Sequence, residues 1–403
     1  MSCYIKYYTE YLPRISSVVV SIEILNHLAH IADIALVSPL ELVLKFSDGH
    51  NDSIKLSHAV YHPYNKIAKS FLQFSPDDNC YTLKLKCMDK IEEINSRSQN
   101  YFMSFNDHYR WNAKYLNSMR KNDTEFKICC LNCRNEIINS SDINRMNELP
   151  SEIWSDMMDF WHCHKPHENG EHQEVDANKY SVLRPSQNSI NIGLYYFSLN
   201  NGDAFNTGLN IDTETIDFEK NSNPVQCSKC EHVLGALDFK TNLIKLNKWN
   251  FKLIQSDKEE IFNPYSFAYS LIIDSINSSA SRVFQVVNNN KIYGKTPYNG
   301  TVPNVLYIWV FNSGITASVT GLNLLEDCLK IYYSTSWEVL ESERRVTNKR
   351  SFKNEIESEE IELQSDVMAD LFEMLQRSNK NLPKNCKTMG KWELGLLPFE
   401  WKQ

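Results

Sequence analysis

The sequence has none of the short motifs that mark several large enzyme classes. It contains no glycine-rich phosphate loop, no Gly-x-Ser-x-Gly turn and no His-Glu-x-x-His helix. These absences exclude P-loop nucleotide hydrolysis, α/β-hydrolase chemistry and the commonest form of zinc proteolysis. Basic residues are also in deficit, since 42 lysines and arginines against 50 acids give a net charge of −8. A general nucleic-acid binder needs a basic surface to neutralise phosphates, so that class is disfavoured.

Long apolar runs are missing as well. The most apolar region, residues 18–44, is interrupted by acids, histidines and Pro39, so it is not a membrane-spanning helix. The sequence begins Met-Ser-Cys-Tyr-Ile-Lys, which lacks the basic start and apolar core of a signal peptide. Eleven cysteines without such a signal favour reduced thiols and metal ligation over disulfides. We therefore expect a protein of the nucleus and cytoplasm.

What the chain does have is the composition of a globular protein with more than one core. Its 403 residues are 42% hydrophobic and 23% charged, and this length favours two domains. Period-two alternation of apolar and polar residues predicts strands at residues 15–24, 40–46, 53–57, 81–86, 125–131, 305–311, 315–320 and 328–334. Asn312-Ser-Gly314 predicts a hairpin between two of them. Helical spacing predicts a helix over residues 265–281 and another that contains Leu363, Val367, Leu371, Met374 and Leu375.

Residues 342–362 form a charged run with a basic first half and an acidic second half. Such a run is ordinarily a solvated linker or an exposed helix. We predict an α+β protein with a β-rich N-terminal domain at residues 1–148. A partner-binding loop at 149–178 and a mixed C-terminal domain at 179–403 follow it.

Two Cys-x-x-Cys pairs, Cys130/Cys133 and Cys227/Cys230, predict a structural zinc. Each such turn aims two thiolates at one point, and a tetrahedral zinc needs two turns. The alternatives are redox dithiols or simply buried cysteines, but two pairs of equal spacing favour zinc. Because the pairs are separated by the 93 residues 134–226, the metal would join the two predicted domains. Four thiolates leave no open position for catalysis.

Cys129 and His232, which lie beside these pairs, are also of residue types that bind metals. Cys129 should point away from Cys130 on a strand, because successive side chains alternate between faces. His232 is a possible substitute ligand, although a surface imidazole is the more ordinary state.

A further group of metal-capable side chains lies between the pairs. The segment from Leu149 to His164 carries Trp154 and Trp161 and ends in His162-Cys163-His164. One interpretation is that Cys163 adds to the zinc site, and another is that the tryptophans are core residues. The third is that a loop offers a thiolate and an imidazole to a metal held by another protein.

Several motifs together resemble one family. They are Leu149-Pro-Ser-Glu-Ile-Trp154, Asp159-Phe-Trp-His-Cys-His164, the pair Cys227/Cys230 with Leu234-Gly235, and Gly390-Lys-Trp-Glu-Leu-Gly-Leu-Leu397. They resemble a HECT-like family of ubiquitin-conjugating-enzyme-binding proteins, which are described as ubiquitin-protein ligases. The chain looks like a fungal member linked to pre-mRNA cleavage and polyadenylation.

The resemblance implies two activities, each with its own partner. One is acceptance of ubiquitin from a ubiquitin-conjugating enzyme and its transfer to substrates. The other is binding to the metallo-β-lactamase-type endonuclease of the cleavage and polyadenylation machinery. There Cys163 would ligate the nuclease zinc, His164 would support it, and Trp154 and Trp161 would be apolar anchors. A thiolate in the open metal position would displace the catalytic water, so the protein would inhibit or chaperone the nuclease.

A HECT-type ligase also needs an accessible cysteine with a depressed pKa. Cys328 lies beside two acids and is more typical of a packed strand residue. Cys386 lies near Lys384 and Lys387, which would favour its thiolate, although an inert surface thiol is equally plausible. Neither context reproduces a HECT catalytic loop, so no catalytic residue is assigned. The alternative is a non-enzymatic inhibitor or chaperone of the endonuclease, or an adaptor that recruits the conjugating enzyme.

Overall fold

The computed structural model describes residues 5–26, 30–61, 67–87, 111–121, 125–149, 183–203, 206–211, 222–256, 258–289, 302–322, 324–340 and 358–399. The described residues before position 105 and after 263 form one unit, and those between form a second. Both are rich in strands and contain few helices, which agrees with the predicted α+β class. No helix in these ranges is long and apolar enough to cross a membrane. The predicted division into residues 1–148, 149–178 and 179–403 stays a prediction.

The elements follow in chain order. The first unit begins with β1 (Ile5–Leu12), β2 (Ser17–Ile24), β3 (Ile31–Ser38), β4 (Glu41–Phe46), β5 (Asn51–Lys55), β6 (Gln73–Ser75) and β7 (Cys80–Lys86). The second unit contains α1 (Ala113–Lys121), β8 (Phe126–Cys130), β9 (Glu136–Asn139), β10 (Arg145–Glu148), β11 (Ser189–Ile192), β12 (Tyr196–Asn200), β13 (Leu209–Ile211), β14 (Ser222–Cys227), β15 (Val233–Asp238), β16 (Leu243–Asn247), β17 (Phe251–Gln255) and β18 (Lys258–Ile261). The chain then returns to the first unit with α2 (Pro264–Ser279), β19 (Val283–Asn289), β20 (Val305–Val319), β21 (Leu325–Ser334), β22 (Glu359–Gln364), α3 (Ser365–Asn381), α4 (Lys384–Lys387), β23 (Thr388–Met389) and β24 (Trp392–Pro398). Short 3-10 helices lie at Pro13–Ile15, Lys69–Phe71, Ser140–Asp142, Asn206–Gly208 and Lys248–Asn250.

A sheet of ten described strands forms the frame of the first unit. Its main order is β23-β24-β21-β20-β1-β2-β7-β6, with β19 beside β20 and β22 beside β19. The long strand β20 pairs along one edge with two strands, with β19 through its first residues and with β1 through its last. The C-terminal strands thereby continue the N-terminal ones in a single sheet. A separate three-stranded sheet, β3-β4-β5, shares an apolar cluster with β1, β2 and β7.

Helix α3 packs on one face of the sheet formed by β20, β21 and β24. On β20, Leu306, Ile308 and Val310 are buried, and Ile331 and Gly395 lie on the same face by register. Helix α3 packs there so closely that a Cβ on Gly395 would lie 2.9 Å from the Cβ of Leu375. The helix itself forms because its apolar residues recur at helical spacing and are buried together. The opposite face carries Trp309 and Tyr332, which are only half-buried.

The hairpin predicted at Asn312-Ser-Gly314 is wrong, because β20 runs unbroken from Val305 to Val319. The register with β21 shifts across this stretch, so that Asn312 lies opposite Lys330 and Ile315 opposite Cys328. Gly314 has a φ of +68°, which is a conformation that glycine adopts without steric cost. The turn-forming residues therefore produce a bulged, irregular stretch of strand.

The prediction of a solvated linker or an exposed helix is wrong for the last residues of the charged run. Glu359, Glu360 and Glu362 belong to strand β22, which pairs in parallel with β19. Ile361 and Leu363 alternate with them and are buried, so the period-two pattern outweighs the charge. Residues 342–357 lie outside the described residues. The remaining predicted strands and the two predicted helices are confirmed, with ends shifted by a few residues. Leu363, predicted in the second helix, instead lies on β22, because α3 begins at Ser365.

The second unit contains two sheets and a core of large aromatic residues. Their strand orders are β10-β11-β12-β16-β15-β14-β13 and β18-β17-β8-β9. Trp111 is fully buried, and its indole Nε1 donates a 3.1 Å hydrogen bond to Glu260. The hydroxyl of Tyr115 donates to the other oxygen of the same carboxylate at 2.6 Å. Glu260 thereby ties α1 to strand β18.

Lys248 is a fully buried lysine within this aromatic core. Its Nζ donates to the carbonyl oxygen of Leu194 at 3.1 Å and lies 5.5 Å from the ring centre of Phe197. Burial lowers the pKa of Lys248 to about 7, against the opposing effect of the Glu148 carboxylate. The ammonium form is disfavoured because removing a charge from water is costly.

This burial predicts a pH-dependent stability that Lys248→Met removes. The folded-state pKa lies below the unfolded one, so the unfolded chain binds more protons between pH 7 and 10. The free energy of unfolding therefore gains up to about 1.4 kcal/mol per pH unit over this window from Lys248, and loses that contribution as the pH falls. Urea unfolding at pH 7.5, 8.5 and 9.5 measures the slope. Lys245→Met, an exposed position on β16, is the control, and equal slopes in all three proteins would contradict the expectation.

Candidate metal centre

Each Cys-x-x-Cys pair lies at the turn of a β-hairpin in the second unit. Cys130 ends β8 and the chain returns as β9, while Cys227 ends β14 and the chain returns as β15. The two hairpins belong to different sheets. All four cysteines thus lie in one structural unit, although they are remote from one another in the sequence.

The two turns have the same backbone geometry. In the first, the Cys130 N–H donates to the Asn135 carbonyl at 2.8 Å and the Arg134 N–H donates to the Cys130 carbonyl at 2.9 Å. In the second, the Cys227 N–H donates to His232 and the Glu231 N–H donates to Cys227 at the same two distances. Arg134 and Glu231 both have a left-handed φ, near +60°. Non-glycine residues adopt this conformation at a cost, so the repeated geometry indicates a turn held by its surroundings.

The four sulfur atoms lie at the right distances for one zinc ion. The Sγ atoms of Cys130 and Cys230 are 3.7 Å apart, and those of Cys133 and Cys227 are 3.6 Å apart. All four lie within 4.8 Å of one another. A tetrahedron with Zn–S bonds of about 2.3 Å has edges of about 3.8 Å. The donor set and its spacing therefore fit a zinc ion held by four thiolates.

The surroundings of the thiols favour the thiolate form at Cys230. Burial raises the pKa of Cys130 and also that of Cys133. Burial acts in the same direction on Cys230, but hydrogen bonds from the His232 N–H and the Asn132 side chain outweigh it and lower its pKa to about 7. N–H groups that point at sulfur stabilise negative charge, and a bound divalent cation would extend this to all four thiols.

Two glycines keep the hairpins close to their neighbours. A Cβ on Gly235 would lie 1.9 Å from the carbonyl oxygen of Lys245 on the next strand, so only glycine fits there. A Cβ on Gly208 would lie 2.6 Å from the carbonyl oxygen of Glu136 on β9. The Gly208 carbonyl also accepts a 2.9 Å hydrogen bond from the Ser228 N–H in the second turn. Gly208 therefore contacts both hairpins.

The residues beside the pairs take no part as ligands. Cys129 is buried outside the four-cysteine group, and burial raises its pKa. This agrees with the expected alternation of side chains on β8. His232 is half-buried, where the sequence suggested a surface imidazole, and it serves the site through its backbone N–H and carbonyl groups. Trp154, Trp161, Cys163 and His164 lie outside the described residues.

The lysines that flank Cys386 in the sequence do not lower the pKa of its thiol as expected. Cys386 lies on α4, half-buried, where its Sγ is 3.4 Å from Oδ1 of Asn385. Burial raises the pKa of Cys386 to about 11, and a hydrogen bond with Ser21 and the nearby Lys330 only partly offset this. Lys330 is itself neutralised by Glu10, with Nζ 2.7 Å from the carboxylate oxygen. The local lysines of the sequence therefore do not produce a thiolate.

Cys328 is the packed strand residue that its sequence context indicated. It is fully buried on β21, and burial raises its pKa. Neither of these cysteines has the depressed pKa of an activated thiol.

The comparisons with known proteins place the chain in a family. The profile described as HECT-like ubiquitin-conjugating enzyme (E2)-binding matches residues 10–394, so the chain belongs to that family and the resemblance is confirmed. The chain is 26% identical to "Uncharacterized protein YJR141W" of Saccharomyces cerevisiae, over 97% of this chain and 98% of that protein. It is similar to proteins named as an E3 ubiquitin-protein ligase from Pongo abelii, at 23% identity, and from Homo sapiens, at 21%. Each of these two alignments covers 82% of this chain and 90% of the relative. No solved structure matches the chain.

The geometry of the cluster generates a test of metal binding. Cys227→Ser is expected to abolish binding of the one zinc per chain and to lower the free energy of unfolding by about 4 kcal/mol or more, because a tetrahedral site missing one thiolate no longer joins the hairpins. Plasma mass spectrometry and urea unfolding measure the two effects. Cys87→Ser, at a half-buried cysteine outside the cluster, is the control and should retain the metal. A Cys227→Ser protein with full zinc content and unchanged stability would contradict the assignment.

Proposed function

We propose that this protein binds a ubiquitin-conjugating enzyme and promotes transfer of ubiquitin directly from that enzyme, and that a second segment binds the endonuclease of pre-mRNA cleavage and polyadenylation. The observation that carries the first part is the family match over residues 10–394, supported by relatives named E3 ubiquitin-protein ligase. The protein is proposed to act in the nucleus and cytoplasm.

The chemistry of the described cysteines favours direct transfer. Outside the metal cluster these are Cys80, Cys87, Cys129, Cys328 and Cys386, and all are buried or half-buried. Burial raises the pKa of four of them, Cys80, Cys129, Cys328 and Cys386. A transthiolating ligase needs an accessible thiolate. In direct transfer a substrate amine attacks the thioester carbonyl on the conjugating enzyme, the amide forms, and the enzyme's own thiolate leaves.

A discharge assay tests this mechanism. Ubiquitin-charged conjugating enzymes are mixed with free lysine, with and without the protein, and the loss of thioester is followed by electrophoresis. Wild type and Cys386→Ala should accelerate discharge by at least one conjugating enzyme equally, without a reductant-sensitive ubiquitin adduct on the protein. An adduct that disappears in Cys386→Ala would contradict direct transfer. Absence of acceleration with every conjugating enzyme would contradict the ligase proposal.

The endonuclease-binding part rests on the segment with Trp154, Trp161, Cys163 and His164. Four cysteines already complete a tetrahedral set in the metal centre, and zinc in a structural site takes four ligands. The predicted contribution of Cys163 to that site is therefore unnecessary, which leaves its thiol for a metal in a partner. We assign Cys163 to the nuclease zinc and His164 to its support, with the two tryptophans as anchors, the residue type that commonly dominates interface energy.

Titration of the purified endonuclease with this protein tests the assignment. Wild type should suppress RNA cleavage at stoichiometric concentration, because the Cys163 thiolate takes the position of the catalytic water. Cys163→Ala should raise the inhibitory concentration at least about tenfold, whereas Cys87→Ala should match wild type. Equal inhibition by wild type and Cys163→Ala would contradict this role. Inhibition without any effect on ubiquitin discharge would favour the second candidate function, a non-enzymatic inhibitor or chaperone.

A further inference from the structure

The four cysteines of the metal centre differ in their access to solvent. Cys133 and Cys230 are half-buried, and we call them the outer cysteines. Cys130 and Cys227 are fully buried, and we call them the inner cysteines. Because the two turns have the same backbone geometry, the arrangement is symmetric. Each hairpin supplies one inner cysteine at the start of its turn and one outer cysteine three residues later.

Sulfur atoms of opposite hairpins lie close enough to form disulfides. The Sγ atoms of Cys130 and Cys230 are 3.7 Å apart, and those of Cys133 and Cys227 are 3.6 Å apart. A disulfide bond is about 2.0 Å long, so each sulfur has to move by only about 0.8 Å. Both contacts join an outer cysteine of one turn to an inner cysteine of the other. Stepwise thiol oxidation needs this arrangement, with one thiol open to the oxidant and a second thiol beside it.

We propose that the metal centre is also a site of reversible oxidation, in which a peroxide converts its four thiolates to the disulfides Cys130–Cys230 and Cys133–Cys227. Cysteines that bind zinc are deprotonated, and the thiolate is the form that reacts with peroxides. The outer thiolate attacks a peroxide oxygen, the O–O bond breaks, hydroxide leaves, and the sulfur becomes a sulfenic acid. The inner thiolate of the other hairpin then attacks that sulfur, the S–S bond forms, and a second hydroxide leaves.

Formation of each disulfide transfers two electrons from two sulfur atoms to one peroxide molecule, and two protons from solvent convert the two hydroxides to water. The two disulfides together consume two peroxide molecules and remove all four ligands from the metal site. Because both disulfides run between the hairpins, the two turns stay joined when the metal is lost. Reduction by a dithiol restores the four thiols, as for other transient disulfides of reducing compartments.

The test is treatment of the full-length, zinc-containing protein with hydrogen peroxide at neutral pH. A zinc-sensitive dye should report the release of the bound zinc, and dithiothreitol with added zinc should restore the original zinc content. Cys87→Ser is the control, because Cys87 is a half-buried cysteine outside the metal centre. This variant should release zinc at the wild-type rate.

Tryptic peptides of the oxidised protein identify the disulfide partners. Trypsin leaves both cysteines of the first turn in peptide 128–134, but it divides the second turn between peptides 221–229 and 230–240. Mass spectrometry without reduction should find peptide 128–134 linked to both of the others. Fragmentation of the linked peptides should join Cys130 to peptide 230–240 and Cys133 to peptide 221–229.

Single substitutions check the pairing. Cys133→Ser should leave one link, to the peptide that contains Cys230, and Cys130→Ser should leave one link, to the peptide that contains Cys227. Cys129→Ser is the matched control, because Cys129 lies in the same tryptic peptide but outside the four-cysteine group. It should give the same two links as wild type.

Three outcomes would overturn the proposal. The first is disulfides within the turns, with peptide 221–229 linked to peptide 230–240 and an internal disulfide in peptide 128–134. The second is a pairing of inner with inner and outer with outer cysteines. The third is peroxide treatment that leaves zinc bound, or that oxidises the four thiols without forming disulfides. The wild-type peptides decide among these outcomes, so a variant that fails to fold does not prevent the test.

Discussion

The structure of the second unit depends on four cysteines at the turns of two hairpins, whose sulfur atoms lie within 4.8 Å of one another. The hairpins belong to different sheets of the second unit, and the segment between their two turns contains five described strands, β9 to β13. Bringing the ends of such a long segment together costs chain entropy. A zinc ion on the four thiolates would offset that cost, since metal binding and folding are coupled in such sites. Gly208 and Gly235 then allow the neighbouring backbones to approach as closely as this arrangement demands.

The surroundings of the described cysteines determine which roles their thiols can have. Four are committed to the metal centre, and Cys80, Cys129 and Cys328 are buried. Burial raises the pKa of Cys386 despite the lysines around it. Among the described residues, these thiols support the proposal that the protein holds the charged conjugating enzyme rather than accepting ubiquitin itself.

The features that local chemistry determines could be predicted from the sequence. Two turns of equal spacing identify the metal ligands, and the alternation of side chains separates Cys129 from Cys130. Features that depend on residues remote in the sequence could not be predicted. The role of Gly208 follows from a carbonyl on β9, and the pairing of β20 with both β19 and β1 depends on strands that are remote in the sequence. Cys386 shows the same principle in electrostatics, because adjacent lysines in the sequence indicate a thiolate while burial by other strands reverses the effect. The turn residues Asn132 and Asn135 could have been identified, since asparagine favours such turns.

X-ray absorption at the zinc edge, on the purified full-length protein, tests the four-thiolate site most directly. The spectrum reports the kind and distance of the atoms bound to zinc without any substitution in the chain. The account predicts a single shell of four sulfur atoms at about 2.3 Å. A shell containing nitrogen or oxygen, or a protein that folds without zinc, would contradict it.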